Sequence, residues 1–257
     1  MDIDIWSDVV CPWCYVGKRR FETPLDRFDH RDQVTVTWRS YQLDPTTRST
    51  PRGVDGDYVA RLAAKFGGGV EQAGQMLESM TRTAAAEGLD YHFDIAKPAN
   101  TFDAHRLLHL AAQRGVQGEL KELLFRATFT LGQPIGDHQT LVDLAAAAAA
   151  GLDRDEAISV LAGDQYADAV EADEAQARAY GITGVPFFVI DGEVRRLGRA
   201  TRGSAAGGHD AGLARGAPEG HGRSRRLVRR RLLRDLRCFG IALRWRRCAS
   251  SAAGRRQ

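Results

Sequence analysis

Two cysteines two residues apart, Cys11-Pro12-Trp13-Cys14, stand near the start of a 257-residue chain. If they open a helix, its first turn carries both side chains to one face, where they can close a small disulfide. Cys11 then lies beside unsatisfied backbone N–H groups and the positive end of the helix dipole, which favours thiolate and makes it the attacking sulfur. Cys14, one turn in, is placed to resolve a mixed disulfide by attacking Cys11. Pro12 suits an early helical position where its missing N–H matters least. Trp13 reads as a tuner of access and potential. Two other readings of the pair stay open, half of a zinc site and two inert buried thiols. Zinc needs two more ligands, and the clustered candidates, Cys238, Cys248, His209 and His221, fit no common spacing, so no metal is expected. A second clue is Val185-Pro186. Most X–Pro bonds are trans, yet a cis bond facing a Cys pair would leave the Val185 backbone exposed to pair with an extended substrate peptide.

The elements that must hold these residues can be read from periodicity. Residues 2–7 alternate polar and apolar, the pattern of a half-buried strand. From Cys14 to Phe28 the apolar residues Val16, Phe21, Leu25 and Phe28 recur at helical spacing, with Pro24 expected to kink or end the helix early. Val34 through Leu43 is rich in β-formers and closed by Asp44-Pro45, which completes a β-α-β unit. Helices follow at 58–66, 71–87, 102–113, 118–130, 141–150, 154–161 and 166–180, several stopped by a glycine. Asn100 before Asp103 and Asp153 before Glu156 resemble helix N-caps. The apolar run after Pro186 reads as a buried strand. Asp191-Gly192 is a strong hairpin signal, so a partner strand should follow. Trp6 and Phe187 are expected in the core.

Composition excludes several classes. With 43% hydrophobic and 27% charged residues and a net charge of +3, the chain is not collagen-like, disulfide-dense or wholly disordered. The average conceals a break near residue 192: before it stand 18 basic and 29 acidic residues, after it 18 and 4, and every basic residue of the tail is arginine. No apolar run is long enough to span a bilayer, and the acidic start carries no secretory signal, so a cytoplasmic protein is expected. In that reducing compartment a Cys-x-x-Cys pair reads as redox or metal chemistry rather than a structural staple.

Four stretches together resemble a known family: Ile5–Arg19 with the Cys pair, Trp38–Pro45, Asn100–Leu107, and Tyr180–Phe188. They are similar to the FrnE-type branch of the DsbA family, which is related to 2-hydroxychromene-2-carboxylate isomerases and kappa-class glutathione transferases. The resemblance covers about residues 1–192. It implies an α/β, thioredoxin-like fold with a large helical insertion over about 54–180. It also implies a cytoplasmic thiol–disulfide oxidoreductase or isomerase with no bound prosthetic group, glutathione or another thiol or disulfide serving as redox co-substrate. Cys11 is then the nucleophile, Cys14 the resolving thiol and Pro186 the cis proline, with Pro12 and Trp13 supporting them. Val185, Pro186, Asn100 and His105 are the substrate-binding candidates, although capping and packing of the helix is the expected role of Asn100 and His105. The implied partner is a disulfide-containing protein or small molecule, and the oligomeric state stays open, a dimer included. The alternative is a glutathione-dependent isomerase or transferase acting on an aromatic or polyketide-like compound, a reaction that needs no resolving thiol.

The family pattern would continue past Gly192 with a short strand, a Val-Ser-Gly-Ala-Gln-type segment and a final helix. Here residues 193–257 form an Arg/Gly/Ala-rich tail instead. Arg195 to Thr201 can be encoded as CGG CGT CTC GGG CGC GCA ACC, and the neighbouring frame of those bases reads Gly-Val-Ser-Gly-Ala-Gln. The expectation is therefore a frameshifted, disordered tail, with the last strand and helix missing and one sheet edge open. A genuine basic helix over Arg223 to Arg247, binding nucleic acid or an anionic membrane, is the competing reading, and nucleic-acid binding is not expected.

Overall fold

The computed structural model describes residues 1–48, 58–67, 69–147, 151–198 and 242–245. The period-2 segment at the N-terminus is strand β1 (Asp2–Ser7), followed by helix α1 (Pro12–Asp26) and strand β2 (Thr35–Ser40). Helix α1 begins at the Cys pair itself, and Pro24 falls in its last turn, where the lost N–H forfeits a single bond before the helix ends. Seven helices lie between β2 and the next strand: α2 (Tyr58–Phe66), α3 (Val70–Ala85), α4 (Phe102–Gln113), α5 (Gln117–Phe129), α6 (His138–Ala147), α7 (Arg154–Ala162) and α8 (Ala167–Ala179). All lie within a residue or three of the periodicity-based placements. The glycine stops hold where they matter most, Gly88 and Gly181 taking φ of 72° and 64° after α3 and α8.

Of the two caps, Asp153 behaves as read, accepting the Glu156 N–H at 2.8 Å. At α4 the cap position belongs to Thr101. Asn100 precedes it, accepting the Phe102 N–H at 2.9 Å and donating to the Pro45 and Thr47 carbonyls.

After Val185 and Pro186 come β3 (Phe187–Ile190), β4 (Glu193–Gly198) and β5 (Ala242–Trp245), and the five strands form one sheet in the order β2-β1-β3-β4-β5. Asp191 and Gly192 both have positive φ, 51° and 74°. That is the turn geometry whose twist suits a two-residue hairpin, and it delivers the chain directly into β4 whatever the arginine content beyond. The expectation of a missing last strand and an open edge is corrected here. β4 is present, and β5 pairs with it antiparallel, Arg195 opposite Trp245 and Gly198 opposite Ala242. The extended backbone of 242–245 likewise replaces part of the basic helix considered for Arg223 to Arg247. The frameshifted or disordered character of the remaining tail, and the family's final helix, lie outside the described residues. Among the described residues no helix is long and apolar enough to cross a membrane.

The chain divides into two compact units. One comprises residues 1–3, 20–35 and 188 onward. In it the Phe21 and Phe188 rings lie 5.5 Å apart, and the Asp191 N–H donates to the Asp2 carbonyl at 2.8 Å. The other comprises residues 4–19 and 36–187 and holds the Cys pair. Its larger apolar cluster gathers Leu107, Leu110 and Ala111 of α4, Leu120 and Leu124 of α5, Leu141 of α6 and Val160 of α7, all buried.

A polar anchor fixes β2 within this second unit. Asp173 of α8 is almost fully buried and accepts from the Ser40 N–H at 2.9 Å and from Arg39 at 3.2 Å, with His109 Nε2 3.2 Å away. The carbonyl of Asp173 takes the Trp6 indole N–H at 2.9 Å. Burial works against the Asp173 charge, but His109, the Ser40 N–H and Arg39 together outweigh it and hold the carboxyl below its usual value. A carboxylate with a depressed folded pKa stabilises the fold above its unfolded value, near 4, and loses that contribution as pH falls through the folded value. Asp173→Asn is therefore expected to cost about 2 kcal/mol at neutral pH. Urea unfolding across the pH range should show that gap closing below about pH 4. A gap independent of pH would remove the charge from the account.

Candidate active site

The end of β1 and the start of α1 place the Cys pair. The Cys11 N–H donates to the Asp8 carbonyl at 3.1 Å, and the Cys14 N–H closes the first turn onto the Cys11 carbonyl at 2.9 Å. Both thiols are free and buried, Cys11 4% and Cys14 0% exposed. Trp13 between them is 38% exposed.

The bond between Val185 and Pro186 is cis, and the Cys11 thiol donates to the Val185 carbonyl at 3.6 Å. Gly17, on the next turn of α1, explains why Pro186 can approach so closely. A Cβ at that position would stand 2.9 Å from Pro186 Cγ.

The electrostatics of the pair differ from the expectation of a favoured thiolate at Cys11. The Cys14 side chain, burial and the Cys14 charge push the Cys11 thiol up, Asp8 adds to the rise, and the Cys14 N–H works against it. The physical reason is that helix-end donors act on a sulfur that has been taken out of water and set against another sulfur. Desolvation and a second potential anion outweigh the N–H groups.

The pair is backed by rings that periodicity did not single out. Tyr15 stacks on Phe125 at 4.9 Å and on Tyr91 at 6.0 Å, and Tyr91 in turn stacks on Phe129 at 5.0 Å. The Tyr91 hydroxyl donates to the Pro12 carbonyl at 2.7 Å, tying the residue between the cysteines to the helical insertion. Glu122 of α5 accepts from Tyr15, Lys18 and Arg19 at 2.6 to 2.7 Å, fastening α1 just beyond Cys14. Tyr15, Lys18 and Arg19 belong to the Ile5–Arg19 stretch, whereas no motif marks Tyr91, Glu122, Phe125 or Phe129. Of these, Phe125 and Phe129 have a sequence signal, since they lie four apart on one face of α5.

The structure brings Cys11, Pro12, Trp13, Cys14, Val185 and Pro186 to one place. Asn100 spends its amide on the 45–47 loop and the start of α4. His105 is 1% exposed and lies within the buried face of α4, which is packed on most of its sides, in keeping with a packing role. Its Nε2 is 3.5 Å from Asp8 Oδ1, beyond hydrogen-bond geometry, and neither atom has a hydrogen-bond partner among the described residues. The other Asp8 oxygen accepts the Leu43 N–H at 2.7 Å. Among the described residues no three His, Cys, Asp or Glu side chains gather as a metal ion would require, while Cys238, Cys248, His209 and His221 lie outside them.

A β1 strand delivering Cys-x-x-Cys to the start of a helix, with a cis proline whose preceding carbonyl meets the first sulfur, is the thioredoxin arrangement. The chain belongs to the DsbA family, matching the DSBA-like thioredoxin domain over residues 2–205. It is 30% identical over 192 residues to the uncharacterized protein YwbO of Bacillus subtilis, a match spanning 73% of this chain and 86% of that one. Among solved structures it is similar to the probable DsbA oxidoreductase SCO1869 from Streptomyces coelicolor, with 46% identity and a TM-score of 0.67 over 74% of this chain and 80% of the other. The cytosolic disulfide reductase DsbM from Pseudomonas aeruginosa, solved with GSH, shares the fold at 15% identity and a TM-score of 0.54, covering 77% of this chain and 90% of its own.

Proposed function

We propose that this protein is a cytoplasmic thiol–disulfide oxidoreductase acting through Cys11 and Cys14. The observation that carries the reading is the Cys11 sulfur held 3.6 Å from the Val185 carbonyl, with a second thiol one helical turn behind it. Cys11, once ionised, attacks one sulfur of a substrate disulfide, forming a mixed disulfide and releasing the other sulfur as a thiolate. Cys14 then attacks Cys11, closing the Cys11–Cys14 disulfide and expelling the substrate as a second thiolate. The substrate gains two electrons and the protein loses them; the same steps in reverse oxidise a dithiol. Glutathione or a comparable thiol returns the pair to its reduced form. An extended substrate segment would lie against the backbone at Val185 and Pro186, with Trp13 at the rim.

Cys14 favours this reading over a glutathione-dependent isomerase, which has no use for a resolving thiol. The compartment assigned is the cytoplasm, where reducing conditions keep such a pair open and make it functional rather than structural. The test is equilibration of the full chain in glutathione buffers with thiol trapping, beside a Cys14→Ser control. A two-electron couple between about −120 and −270 mV is expected. The absence of any reversible couple in the folded chain would overturn the reading.

A further inference from the structure

One hydrogen bond reaches into the Cys-x-x-Cys turn from the helical insertion. The Tyr91 hydroxyl donates at 2.7 Å to the carbonyl of Pro12, the residue after Cys11. A carbonyl accepts twice, and in a helix the N–H four residues on takes one lone pair, so the hydroxyl takes the second. The donor is itself held from several sides. On one flank of Tyr91 the Asp90 carbonyl accepts from the Thr130 hydroxyl at 2.7 Å, and on the other the His92 N–H donates to the Phe129 carbonyl at 2.7 Å. Tyr91 is 5% exposed, and its ring stacks on Phe129 and Tyr15. Burial pushes its hydroxyl well above the usual tyrosine range, with Cys11, Tyr15 and Cys14 adding to the rise, so it stays a donor at any working pH.

That carbonyl belongs to the ring which a Cys11–Cys14 bond would close, because the ring runs through the peptide units of Pro12 and Trp13. Closing it draws the two sulfurs together and adjusts this short backbone path. A carbonyl pinned by a fixed donor resists the adjustment. Both cysteines are free in the structure, so the bond from Tyr91 is one made in the dithiol form. An interaction that is stronger in one of two forms shifts the equilibrium toward that form, by as much as its free energy differs between them.

We propose that Tyr91 is a positioning residue of the dithiol pair, its hydroxyl holding the Pro12 carbonyl in the dithiol geometry and so raising the reduction potential of Cys11–Cys14. The inference rests on the exchange reading above. In the couple concerned, Cys11 and Cys14 lose two electrons and two protons as their sulfurs bond. A glutathione disulfide takes up both and leaves as two glutathione thiols. Tyr91 makes and breaks no covalent bond.

The experiment equilibrates the full chain and its Tyr91→Phe variant in glutathione buffers and traps the thiols. Phenylalanine keeps the stacked ring and removes the hydroxyl alone. The variant should form its disulfide about tenfold more readily, which is a potential lower by about 30 mV. Urea unfolding of both redox forms closes the cycle: loss of the hydroxyl should raise the unfolding constant of the dithiol form about tenfold more than that of the disulfide form. Thr130→Val, which removes the bond to the Asp90 carbonyl and loosens the segment bearing Tyr91, should move the couple the same way by less. It serves if the phenylalanine chain does not fold. A couple unmoved in Tyr91→Phe, or in Thr130→Val where only that chain folds, would overturn the role of Tyr91 and leave the exchange reading intact. So would an equal loss of stability in both redox forms. If the unmodified chain shows no reversible couple, the exchange reading fails and Tyr91 has no potential to set.

Discussion

A Cys11→Ser chain is expected to lose disulfide exchange about a thousandfold or more, down to the background of solution thiols, since a hydroxyl neither ionises near neutrality nor leaves as a sulfur does. Cys14→Ser should behave differently. It keeps the sulfur that lies against Val185, so the first attack proceeds and the second cannot, and a mixed disulfide accumulates on Cys11. Turnover of a small disulfide followed by mass analysis of the acid-quenched protein separates the two. The asymmetry has a structural origin: Cys11 retains 4% exposure and Cys14 none, so only one of two chemically equal thiols meets a substrate. Trapping of the substrate on Cys14 rather than Cys11 would contradict the assignment of roles.

Arg106→Leu is expected to be the most damaging single change to the fold away from the cysteines, at about 3–5 kcal/mol. Arg106 sits on α4 and is nearly fully buried. Its guanidinium donates to the carbonyls of Val160, Gly163 and Gln165 and to the Asp103 carboxylate, the last at 2.8 Å. Those carbonyls line the turn from α7 to α8, where Gly163 ends α7 and Tyr166 takes a left-handed φ of 63° before α8. Leucine fills a similar volume but leaves the buried Val160 carbonyl and the part-buried carbonyls of Gly163 and Gln165 without their donor, and a buried acceptor left unpaired costs more than an ordinary hydrogen bond. Urea denaturation read by circular dichroism measures the change. A loss below about 1 kcal/mol would mean that water replaces the guanidinium at this turn.

The order of elements was largely legible before the structure. α2 and α4 occupy the residues that periodicity assigned them, and the Asp191–Gly192 turn leads into a strand as its sequence predicts. Helix α1 starts at the Cys pair as local spacing predicts, and the Val185–Pro186 bond is cis as the family resemblance implies. The tail was harder. The frameshift reading pointed to a tail without its last strand, yet β4 forms where the Asp191–Gly192 turn aims the backbone at a neighbouring strand.

Local sequence thus settles what can be judged within a few residues: helix periods, glycine stops, the tight turn and the identity of the two thiols. It does not reach effects that depend on what lies across the molecule. Arg39 meets Asp173 over 134 positions of chain and Tyr91 meets Pro12 over 79, and no local pattern encodes either meeting. The same holds for the charge state of Cys11. The helix start argues for a thiolate, while burial and the approach of Cys14 argue more strongly for a thiol. Lys121 is the sharpest instance, since a lysine on a helix is ordinarily solvated. Packing of α5 places it against Trp38 and Phe125, where it is buried instead.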